Sequence, residues 1–187
     1  PESRRDLALS LNSVGRVAVQ IGDLIVAGRC FEEALGIQRE LAVLLGTPES
    51  RRDLAISLDN VGRMAERRGD LEAADRYFQE SLTIDRELAD SLGTPESRRD
   101  LALSLNSVGR VAEQSGDLEA ADRYYKESMT ILHEIAELVG TPQAIEDLAL
   151  ALGSRVHIAA ELGDSALAEH LEAELSNLEE IVVENRS

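Results

Sequence analysis

Prolines stand at 1, 48, 95 and 142, each 47 residues after the last, and each of the first three opens nearly the same text. PESRRDLALSLNSVGRVA begins at Pro1 and returns letter for letter at Pro95, with PESRRDLAISLDNVGRMA at Pro48 between them. A fixed period of this length signals one supersecondary unit built several times, each copy sealing its apolar side only against its neighbours. Catalytic chemistry is seldom written three times in one chain; stackable architecture is. The repeats are 1–47, 48–94, 95–141 and 142–187, expected to form one continuous domain. A chain in register with its own repeat from its first residue is expected to be a fragment of a larger protein.

Inside each repeat a Gly-Asp pair recurs, at Gly22-Asp23, Gly69-Asp70, Gly116-Asp117 and Gly163-Asp164, and divides it into two segments. Both segments have helical periodicity. In the second repeat Leu54, Leu58, Val61 and Ala65 make one stripe, and Leu71, Ala74, Phe78, Leu82, Leu88 and Leu92 another. The Gly suits the left-handed residue that ends a helix, and the Asp can accept from the free N–H groups that begin the next. Where repeats join, Gly46-Thr47-Pro48-Glu49 supplies a stop, a cap, a proline tolerated in a first turn and an acid suited to the positive helix end. A start at Ser50 is the alternative. With two Phe, three Tyr and no Trp, the core is aliphatic, so the expected class is all-α, with eight antiparallel helices and no strands.

The stretch from Ser104 to Ile131, SLNSVGRVAEQSGDLEAADRYYKESMTI, resembles a tetratricopeptide repeat. It carries a large apolar residue at Leu105, then Val108-Gly109, Ala112, Gly116-Asp117, Ala121, an aromatic at Tyr125 and a small residue at Ser128. The resemblance implies a right-handed α-solenoid of four helix-turn-helix units. It puts Gly15, Gly62 and Gly109 where two helices approach closely, faced by Ala27, Ala74 and Ala121. Phe31, Phe78 and Tyr125 would fill the gap toward the next unit. The family's common period is 34. Here Arg39, Arg86 and His133 occupy the place of the helix-ending proline, so the second helix should run on, as in the repeats of kinesin light chains and bacterial multidomain signalling proteins. The fourth repeat, with Val156 for the close-approach glycine and Glu169 near the aromatic position, has the look of a terminal cap.

The net charge is −17, from 36 acidic and 19 basic residues. Such a surface repels nucleic acid and anionic lipid, so neither is an expected partner. No apolar run approaches the roughly 20 residues that cross a bilayer, and no export signal opens the chain. A cytoplasmic protein is expected, and a bacterial one from the resemblance and the excess of Arg over Lys. Cys30 is the single cysteine, at the register position of Tyr77 and Tyr124, and is expected to pack. His133 with Glu137 and His157 with Glu161 are i,i+4 pairs on helices, the pattern of solvated surface; no metal, cofactor or catalytic residue is expected. The expected function is therefore non-enzymatic.

The resemblance further implies that the first helix of each repeat lines a concave groove. It thereby assigns peptide contact to Asn12, Arg16 and Gln20, to Asp59, Arg63 and Arg67, and to Asn106, Arg110 and Gln114. Asn gives a peptide backbone both a donor and an acceptor, and Arg gives a carboxylate a planar fork, so these rows suit an extended acidic protein segment. An internal Asp59–Arg63 pair and simple copying of repeats are the competing explanation. A second surface is suggested by comparing copies. Val19, Ile21, Ile25 and Val43 replace polar residues at the same register in the second and third repeats. That apolar set predicts contact with a preceding domain or a second copy, giving a homo-oligomer through the first repeat.

Overall fold

A computed structural model describes residues 2–185, with side chains through 178. Its described residues form eight helices and no strand: α1 (Glu2–Gln20), α2 (Leu24–Leu45), α3 (Pro48–Arg67), α4 (Leu71–Leu92), α5 (Pro95–Gln114), α6 (Leu118–Val139), α7 (Pro142–Glu161) and α8 (Ser165–Asn185). The expected all-α helical-repeat class is observed. The chain divides into two compact units, Pro1–Leu92 and Gly93–Ser187, each holding two successive hairpins.

Each local boundary has a chemical cause. Gly22, Gly69, Gly116 and Gly163 adopt φ of 82°, 77°, 82° and 78°, the left-handed conformation a side chain resists. Their aspartates then cap: Asp23 accepts from Val26 N–H, Asp70 from Ala73, Asp117 from Ala120 and Asp164 from Leu167, at 3.0 to 3.1 Å. At the repeat junctions Thr47, Thr94 and Thr141 are the N-caps and the following proline opens the helix, which settles the start at Pro48 rather than Ser50.

In the first unit the core joins Ala18, Ala27, Phe31 and Leu35 of the first hairpin to Leu54, Leu58, Val61 and Met64 of α3. In the second unit Leu132 packs with Leu148, Ala151, Leu152 and Leu171. The close-approach glycines need one correction. An added Cβ on Gly15, Gly62 or Gly109 would meet the ring of Phe31, Phe78 or Tyr125 at 2.5, 2.7 and 2.9 Å. The aromatic ring, not the expected alanine, is what the missing side chain makes room for. Counting by 47 puts the fourth ring position at Glu172, which is exposed, and Glu169 lies a turn earlier.

The charged triplet in the repeated opening joins elements. Its first arginine pairs within each hairpin: Arg4 with Glu40 at 2.6 Å, Arg51 with Glu87, and Arg98 with Glu134. Its second arginine reaches the aspartate of the next repeat. Arg5 Nε lies 2.5 Å from Asp53 Oδ2 and Nη2 lies 3.4 Å from Oδ1, while Nη1 also meets Glu49 at 2.8 Å. Arg99 holds Asp147 through the same two nitrogens. The hydrogen bond that each arginine donates to its buried aspartate raises the arginine's pKa, against the opposing effect of desolvation.

Candidate functional site

A cleft of about 410 Å³ opens in the first unit, lined by Arg16, Val19 and Gln20 from α1, Phe31 from α2, and Asp59, Asn60, Arg63, Met64 and Arg67 from α3. That volume lies in the range of ligand-binding clefts. Its apolar floor arises because Phe31 and Met64 are core residues whose edges reach the opening. The rim arises from helical spacing: Arg16 and Gln20 are one turn apart on α1, as are Arg63 and Arg67 on α3. Three arginines and one aspartate thus face a single opening in a chain of net charge −17.

The rim is partly engaged internally. Arg63 Nε donates to Asp59 Oδ2 at 2.6 Å, which is the expected competing pair. Arg16 Nη2 donates to Ser13 Oγ at 3.3 Å. Both guanidinium groups remain open to solvent, so an incoming carboxylate could exchange for these contacts at modest cost.

Asn12 requires correction. It is only 2% exposed, donates from Nδ2 to Ser57 Oγ at 3.0 Å and accepts at Oδ1 from Asn60 Nδ2 at 3.2 Å. Both ends of its amide are committed to α3, so it joins hairpins instead of facing a ligand. In the second unit Asn106 and Arg110 are half-buried and Gln114 is exposed. The register partners of Asn106 are Ala151 and Ser154; Ser154 donates to Leu150 O instead, and Asn106 Oδ1 is buried without a hydrogen bond among the described residues. Val19 also departs from expectation: it is half-buried against the core and lines the cleft, whereas Ile21, Ile25 and Val43 are exposed.

Phe31, Asn60 and Met64 are cleft residues that sequence reasoning missed. Phe31 was expected to pack and Met64 carried no signal of its own, yet both are core residues, 3% and 2% exposed, that also border the opening. Elsewhere, His157 Nε2 lies 3.3 Å from Glu113, and His133 Nδ1 lies 3.7 Å from Glu137. Among the described residues no helix is long and apolar enough to cross a membrane.

The tetratricopeptide repeat family model matches residues 53–134. That segment covers most of the second and third repeats, and residues 1–18 of the first repeat recur letter for letter in the third. Similar solved structures include BtubC (BKLC) from P. vanneervenii, at 17% identity and a TM-score of 0.74, covering 94% of this chain and 64% of that one. The apo form of RapI is similar at 16% identity and a TM-score of 0.77, covering 96% and 58%. A Podosopora anserina putative kinesin light chain with nearly identical TPR-like repeats aligns at 15% identity and a TM-score of 0.54, covering 94% and 96%. The chain spans less than two thirds of the first two proteins. No curated protein matches the chain.

Proposed function

Because this chain belongs to the tetratricopeptide repeat family, a family of protein-interaction scaffolds, we propose that its first unit binds an extended, acidic protein segment in the arginine-lined cleft. The observation that carries the reading is the convergence of Arg16, Arg63 and Arg67 over an apolar floor, against the sign of the molecule as a whole. A ligand matched to it places a carboxylate on the guanidinium rim and an apolar side chain over Phe31 and Met64. Gln20 and Asn60 offer amide groups to its backbone. The role is binding without catalysis, in a cytoplasmic and bacterial setting. The row Asn106, Arg110 and Gln114 would extend recognition to a second segment of the partner. Titration of an acidic peptide against the chain and its Arg→Ala variants tests the reading.

A second reading is self-association through the first repeat. Val43 is 90% exposed near the end of α2, and Ile21 and Ile25 are exposed around the turn between α1 and α2; all three stand in sequence register with polar residues of later repeats. The contrast is sharpest at Ile21. Its counterpart Arg68 lies over Gly28 and 3.7 Å from Glu32, a polar contact to the preceding hairpin that isoleucine cannot make. Sedimentation across a concentration range tests it.

A further inference from the structure

We infer that the outer face of α1 is a docking surface for a further hairpin of this same repeat type, one that carries the arginine found in the first three repeats. The inference follows from the two hairpin junctions observed inside the units. On α3 the face turned to the preceding hairpin holds Asp53, Leu54, Val61 and Met64, all buried. On α7 the same register holds Asp147, Leu148, Arg155 and Ile158, again all buried. On α1 it holds Asp6, Leu7, Val14 and Val17. Asp6 is exposed, and Leu7, Val14 and Val17 are 48%, 52% and 56% exposed.

These four residues therefore have the composition of a sealed junction without its cover. A solvated helix face would not need apolar residues at three positions of one stripe beside a carboxylate whose counterparts Asp53 and Asp147 are each gripped by an arginine. Continuity specifies the occupant. Asp53 takes Arg5 and Asp147 takes Arg99, each from the residue 48 positions earlier, so Asp6 calls for the arginine of a repeat in the preceding register. An aromatic ring corresponding to Phe31 would cover Val14 and Val17, as Phe31 packs with Val61 and Met64.

Charge also separates this occupant from the last repeat of a second copy. There the second-arginine position is Glu146, which would oppose Asp6. Head-to-tail stacking of identical chains is thereby disfavoured, and an arginine-bearing repeat is favoured.

The test fuses a copy of residues 48–94 directly before Pro1 of the full chain, which preserves the 47-residue period. Three proteins are compared with the unfused chain by thermal denaturation and hydrogen exchange of α1 amides: the fusion, the fusion with Asp6→Asn, and the fusion whose added arginine, the copy of Arg52, is changed to Glu. Expected for the fusion are a midpoint higher by about 5 °C and exchange in α1 slowed about tenfold. Both gains should shrink in the two charge variants, while Asp6→Asn in the unfused chain leaves its midpoint unchanged. Unaltered α1 exchange in the fusion would overturn the inference, whether the added repeat folds or not. So would a stable dimer of the unfused chain in which α1 is already protected, because the occupant would then be a second copy.

Discussion

Arg5 and Asp53 stand 48 residues apart in the chain and 2.5 Å apart in space, and the aspartate is buried between two hairpins. Removing Arg5 strands that carboxylate. Arg5→Met is expected to destabilise the chain by about 1–3 kcal/mol, at the lower end because Arg5 is itself partly solvated. Adding Asp53→Asn should recover part of the loss, and urea denaturation of the four proteins in the cycle measures the coupling.

The pH dependence of that pair has a definite sign. The Asp53 hydrogen bond raises the Arg5 pKa above its ordinary value. A raised folded-state pKa means that stability from the charged arginine is fully present below the unfolded value, which is already strongly alkaline, and is lost only as pH rises through the folded one. The effect of Arg5→Met should therefore be the same at pH 7 and pH 9. A marked difference in denaturation midpoint shift between the two would contradict the assignment.

Glycines divide by what surrounds them. Gly62→Ala would put a methyl group 2.7 Å from the Phe78 ring and is expected to cost about 1–3 kcal/mol. Gly36, inside α2 with nothing within 4 Å of an added Cβ, should behave oppositely. Gly36→Ala is expected to stabilise by about 0.5–1 kcal/mol, through a less flexible unfolded chain. Thermal or urea denaturation of the two variants gives both signs.

Gln38 is fully buried, with neither end of its amide hydrogen-bonded among the described residues. The same register position in the third repeat is Leu132, also fully buried. Gln38→Leu removes two desolvated polar groups at nearly constant volume, so a gain of about 1–2 kcal/mol in denaturation free energy is expected.

The hairpins were legible because their signals are local. A Gly at positive φ followed by a capping Asp requires no knowledge of distant residues, and the period shows that the solution recurs. Contacts between repeats were less legible. Asn12 lies on the first-helix face where a groove was expected, yet Ser57 and Asn60 approach from α3 and absorb it. The sequence contains no measure of that approach. Likewise, alanine was expected to face the close-approach glycine, and only packing decides that Phe31 covers Gly15. The Arg5–Asp53 link did leave a sequence trace, the Arg-Arg-Asp triplet retained in three repeats and broken by Glu146 in the fourth. The cleft was half legible: five of its residues were expected from the family resemblance, while its floor came from side chains that also serve the core.

Calorimetric titration of an Asp- and Glu-rich peptide with an apolar residue at its centre tests the binding cleft most directly. It compares the full chain with the Arg16→Ala, Arg63→Ala, Arg67→Ala triple variant at low and high salt. Saturable binding that weakens with salt and falls at least about tenfold in the triple variant is the expected result. Equal affinity for the two proteins would contradict the cleft as the site of recognition.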